Sequence, residues 1–162
     1  MKAKDRKVMP RRRGFTLIEL MIVIAIIGIV AGMGVLGWQR TVFNSNLRSA
    51  GRDIVTDFQS CKVKANSESR AYTITFDQGA NTYTISSPAT TLPAVNTVKL
   101  PTVHGSGIQI TNANYGMSGS SITFTSRGTS SAGTVTLTNT RGSTAIITTN
   151  TTGKAYVTFN MQ

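Results

Sequence analysis

The chain has 162 residues, a formal net charge of +11 and a single cysteine, Cys61. That length accommodates one compact domain plus an anchor, and one cysteine excludes an internal disulfide. One histidine and six scattered acidic residues leave nucleophilic triads, zinc sites and carboxylate-pair hydrolysis without their parts, so no catalytic residue, metal or cofactor is expected and the chain is not read as an enzyme.

Seven of the 17 basic residues (Lys2, Lys4, Arg6, Lys7, Arg11, Arg12, Arg13) fall in the first 14 positions, with Asp5 as the only acid there. More than half of the net charge is therefore topological: positive charge ahead of an apolar segment holds that end in the cytoplasm. From Leu20 to Trp38 there is no charge. About 20 apolar residues, at about 1.5 Å per residue, cross a hydrocarbon core of roughly 30 Å, so this stretch is predicted to span a membrane. Glu19 lies inside the apolar run that begins at Leu17, and a carboxylate near hydrocarbon costs roughly 2.5 kcal/mol or more unless it is paired or protonated. It either snorkels back to the headgroups or meets a partner. Gly28-Ile-Val-Ala-Gly32 is a small-xxx-small pattern that permits close helix approach.

The run Arg13-Gly14-Phe15-Thr16-Leu17-Ile18-Glu19, followed by the apolar helix, resembles the class III signal of type IV prepilins and type II secretion pseudopilins over roughly residues 8–38. The resemblance implies that a prepilin peptidase cuts after Gly14 and that Phe15 becomes the N-methylated terminus. It implies that the apolar segment is kept, first as an inner-membrane anchor and later as the core of a filament built with other pilins or pseudopilins. It also gives Glu19 a partner, the amino terminus of an adjacent subunit, a pairing that fixes register more than it adds stability. Arg12-Arg13-Gly14-Phe15 fits a twin-arginine export signal as well, and a basic region before an apolar run describes a secretory signal. Both of those expect a shorter apolar region and a small-residue cleavage site after it.

Beyond the anchor, Phe43, Leu47, Ala50, Ile54, Phe58, Cys61 and Ala65 recur at helical spacing, with Arg48, Arg52, Asp53, Asp57, Lys62 and Lys64 largely off that stripe. No proline interrupts residues 11–87, so anchor and amphipathic half are predicted to form one helix. Cys61 is read as a small core residue. From Ala71 the period becomes two: Tyr72, Ile74 and Phe76, then Tyr83 and Ile85, flank a turn at 77–81 and predict a β-hairpin. Residues 86–104, with three prolines, read as a loop holding a short strand at 98–100 and His104 as a solvated loop residue. Further strands are predicted at 107–111, 121–125, 134–139, 144–149 and 154–160, with Gly128, Gly133, Gly142 and Gly153 in turns.

The expected architecture is α+β: a long N-terminal helix packed on a C-terminal antiparallel β-sheet domain. It divides into a cleaved leader (1–14), a transmembrane and filament-core helix (15–38), its amphipathic continuation (39–68) and a periplasmic β-rich domain (71–162). The strand patterns at 122–128, 133–139 and 153–155 resemble the C-terminal domain of the GspH/FimT group, with Lys154 where that group often has arginine. That resemblance implies a minor pseudopilin of a type II secretion system or a related minor pilin. Residues 78–162 hold Lys99, Arg127, Arg141 and Lys154 and no acid. Arg127, Arg141 and Lys154 are therefore candidate DNA contacts of a FimT-like receptor, against the alternative that they solubilise a threonine-rich surface.

Overall fold

In a computed structural model, which describes residues 14–162 apart from the side chains of 33–38, helix α1 spans Leu17–Ser67 without interruption. The basic leader lies, except for Gly14, outside the described residues. No proline falls within these 51 residues, which lets the i→i−4 ladder continue. The helix ends after Ser67, where Ser69 adopts a left-handed conformation (φ 52°) and the Arg70 N–H reaches back to the Ala65 carbonyl at 3.2 Å. A 6→1 bond over a left-handed residue is the Schellman closure, made here without glycine.

The chain divides into two compact units, Met1–Trp38 and Gln39–Gln162. The second contains two antiparallel four-stranded sheets. Strands β1 (Tyr72–Asp77), β2 (Thr82–Ser87), β3 (Val95–Lys99) and β5 (Ser121–Phe124) form the first, in the order β3-β2-β1-β5. Strands β4 (Ile108–Asn114), β6 (Gly133–Asn139), β7 (Thr144–Thr149) and β8 (Ala155–Asn160) form the second, in the order β4-β6-β7-β8.

The predicted stripe is the core of this unit: Leu47, Ala50, Ile54, Phe58, Cys61 and Ala65 are all buried, and Phe43 is half-buried at its edge. Both sheets pack on it. Phe58 meets Phe76 of β1 and Phe124 of β5 with ring centroids 6.2 and 5.7 Å away. Gly51 lets the second sheet approach, since a Cβ there would stand 3.3 Å from both Phe159 and Val157.

Two expectations fail locally. The region 86–104 is not mainly a loop: β3 begins at Val95 rather than 98, and residues Pro101–His104 form a 3-10 turn. With only Val95 and Val98 apolar, β3 lacks the alternation that marks a strand, and the flanking Pro93 and Pro101 read as loop signals. Gly133 is not in a turn but opens β6, where a side chain would run into the Asn114 carbonyl and Tyr115.

Candidate functional site

At the start of α1, Thr16 stands at the N-cap and its Oγ1 accepts the Glu19 N–H at 3.3 Å, while its carbonyl accepts the Leu20 N–H at 3.2 Å. A threonine three residues before a glutamate is the capping-box spacing, and it satisfies a helix-terminal donor that otherwise lacks a partner. The Thr16-x-x-Glu19 signal was legible in the sequence and missed there. Among the described residues no side chain pairs with the Glu19 carboxylate, which also sits in the first turn, where the helix dipole favours an anion. Around it the helix is apolar on every side and uncovered: Phe15 and Leu17 are 76% exposed, and Ile18, Leu20, Ile22, Ile24, Ile27 and Ile29 all exceed half. A helix apolar all round belongs inside a larger assembly or a bilayer. Among the described residues no helix is long and apolar enough to cross a membrane. The predicted span Leu20–Trp38 runs through 33–38, whose side chains lie outside the described residues.

In the second unit the three candidate DNA contacts do not share one surface. Arg127 and Lys154 are exposed, in the β5–β6 connection and the β7–β8 turn. These segments adjoin, because a Cβ at Gly153 would lie 2.9 Å from the Gly128 carbonyl and 3.1 Å from Lys62 Cδ. Lys62, which donates to the Thr152 carbonyl at 2.8 Å, joins them beside a groove of 760 Å³ between helix and turn. Arg141 sits in the β6–β7 turn, at the opposite end of β7, and six residues of strand at about 3.3 Å each separate the ends by roughly 20 Å. Nor is Arg141 free in its turn. Its guanidinium lies 5.2 Å over the Phe43 ring and donates to Gln39 Oε1 at 3.3 Å.

Three polar clusters went unseen in the sequence. Asp57, assigned to the polar flank, is buried: the Tyr83 hydroxyl donates to it at 2.7 Å and Lys99 Nζ lies 2.6 Å away. Burial first, and the Asp57 hydrogen bond second, push the Tyr83 phenol far above its ordinary range. Arg70 is likewise buried, donating to Glu68 Oε2 (2.7 Å), to the Pro88 and Pro93 carbonyls (3.2 and 2.7 Å) and to the Tyr72 hydroxyl (2.9 Å). The Tyr72 hydrogen bond, with Arg70 behind it, lowers the Glu68 carboxyl below its usual range. Asn44 of the helix accepts from Asn139 Nδ2 and Ser143 Oγ and donates to the Gln162 carbonyl, fastening the segment after β8 to α1. His104 is not a solvated loop residue, because it pairs with Asp53 of α1.

These contacts fasten loops, sheets and helix to one another. Residues 9–35 match the prokaryotic N-terminal methylation motif, and residues 50–153, more than half of the chain, match the type II transport protein GspH. The chain belongs to the GspH family. Its fold is similar to that of the minor pseudopilin EpsH from the type 2 secretion system of Vibrio cholerae, with a TM-score of 0.55 at 8% identity, covering 70% of this chain and 97% of that one. At that identity the likeness is one of fold. No curated protein matches the chain in sequence. A GspH-family chain with a methylation motif is a minor pseudopilin of type II secretion, a structural subunit whose N-terminal segment is a prepilin peptidase substrate and which assembles with other pseudopilins. The α+β architecture expected from the sequence stands, its β-region resolved into two sheets.

Proposed function

We propose that this GspH-family pseudopilin is cut after Gly14, is N-methylated on Phe15, and is anchored in the inner membrane by residues 15–38 with the basic leader on the cytoplasmic side. The amphipathic continuation at 39–68 and the β-rich region at 71–162 then lie in the periplasm, and the subunit enters a pilus-like filament through its apolar helix. The observation that carries this reading is the first half of the helix, from Leu17 to Gly32, apolar on all sides, with Glu19 as the one carboxylate in that stretch and no partner for it among the described residues. In a low-dielectric bundle such a group needs a cation, and the methylated amino terminus of a neighbour supplies one.

The cap at Thr16 makes a clean test available. Its bond uses the Glu19 backbone N–H, so Glu19→Ala removes the carboxylate and leaves the cap in place. Insertion and cleavage should persist while co-purification with other pseudopilins falls; co-purification at the wild-type level would refute the pairing. The DNA-receptor reading has less support, because Arg141 is engaged at the far end of β7 from Arg127 and Lys154.

A further inference from the structure

Of the four strands at sheet edges, two are closed by side chains. The Asn81 side chain covers β4, donating to the Ile108 carbonyl and accepting the Ile110 N–H, both at 2.8 Å. On β5, Ser131 Oγ accepts the Thr123 N–H at 3.2 Å and Ser130 bridges to Phe124. A third, β8, starts at the turn clamped by Lys62 and lays Val157 and Phe159 on Gly51. The fourth, β3, carries no proline and no bulge, and no described side chain bonds to its free backbone edge. Proteins usually blunt such an edge with charge, proline or a bulge. Here the one charged residue, Lys99, turns inward to Asp57.

The same segment exposes apolar side chains beside the polar Asn96 and Thr97. Val98 is 57% exposed, Leu100 46% and Val103 78%, and all three line a cavity of 280 Å³ beside α1. The segment is also fixed in place. Lys99 on Asp57, His104 on Asp53, and Gly105 against Asn46 tie it to one flank of the helix, so little ordering remains to be done on binding. The Lys99–Asp57 ion pair neutralises its own charges, so β3 itself presents no net charge with which to select a charged partner.

We propose that β3, with Val98, Leu100 and Val103, is a docking edge that receives an extended, uncharged strand from the adjacent pilin-like subunit as a fifth strand of the first sheet. The proposal rests on the filament reading above. Three side chains make a patch on the order of 300 Å², well under the roughly 800 Å² per partner of a standard interface. Main-chain pairing must therefore supply part of the binding, which selects a strand as the occupant. The contact need not be strong alone, because subunits held together by their helices meet at an effective concentration of about a millimolar.

The test uses the full chain in native membranes, with a photo-crosslinking amino acid placed at Val98, at Val103 and, as a control, at Thr136. The expected result is an adduct at Val98 and Val103, absent at Thr136, whose second chain carries an N-terminal methylation motif by mass spectrometry. Val98→Lys with Leu100→Lys, at positions already exposed, should leave thermal unfolding unchanged and lower co-purification with other pseudopilins at least tenfold. If the wild-type chain co-purifies but gives no such adduct, or if the double variant co-purifies normally, the docking edge is overturned and the filament reading stands. An adduct only with a protein lacking the motif also overturns it. If the wild-type chain does not co-purify at all, the filament reading fails and takes this proposal with it.

Discussion

Phe58 is fully buried where the helix meets the first sheet, with Phe76 and Phe124 packed against its ring. Replacing it by alanine removes the apolar area and leaves a cavity that close-packed neighbours fill only in part, a loss of about 3–5 kcal/mol. Against a total stability of roughly 5–15 kcal/mol, that is a large share. For a domain of this size about 4 °C of Tm accompanies each kcal/mol, so Phe58→Ala should lower Tm by roughly 12–20 °C. Phe58→Leu keeps most of the apolar volume and loses chiefly the two ring contacts, so a fall of about 1–2 kcal/mol is expected. Thermal unfolding of the mature chain in detergent, followed by near-ultraviolet circular dichroism, reads both. Because α1 ahead of Gln39 belongs to a separate unit, membrane insertion of Phe58→Ala should persist. A loss below about 1 kcal/mol for the alanine variant, or equal losses for both variants, would refute the placement of Phe58 as the core contact between helix and sheet.

Glu68 has its folded-state pKa lowered, chiefly by the Tyr72 hydroxyl and then by Arg70, so its contribution is present above the ordinary carboxyl value near 4.5 and is lost as pH falls through the lowered value. Acid unfolding below the ordinary carboxyl range should therefore be shallower in Tyr72→Phe than in the wild type; parallel curves would contradict the assignment. Burial, with the Asp57 carboxylate adding to it, pushes the Cys61 thiol up to about 12. The native chain at pH 8 should accordingly resist a thiol reagent that labels the denatured chain within minutes, and rapid native labelling would place Cys61 elsewhere.

The helix and its stripe were legible because the buried positions from Leu47 to Ala65, Asp57 apart, are small or apolar and recur at one period. Asp57 and Arg70 were not, because a charge on a helix flank or just past a helix end reads as solvated, while the partners that bury these two lie 26 and 42 residues away for Asp57 and 18 and 23 away for Arg70. Alternation at Tyr72, Ile74 and Phe76 announces a strand without naming its neighbours. The division into two sheets depends on β1 pairing with β5 and β4 with β6, contacts across the sequence that period-two patterning does not encode. At the candidate assembly site, the sequence singled out Glu19 through the conflict between a carboxylate and its apolar surroundings, and overlooked the Thr16 cap beside it. The engagement of Arg141 was not legible, because its place in the sequence carries no information about Phe43, which reaches it from nearly a hundred residues away.

The most direct test is the mass of the N-terminal peptide of the chain recovered from membranes of cells that contain a prepilin peptidase. The account predicts a peptide that begins at Phe15, carries one methyl group on its amino nitrogen, and continues into the apolar helix. A chain that keeps its leader, or that begins beyond Trp38, would contradict it.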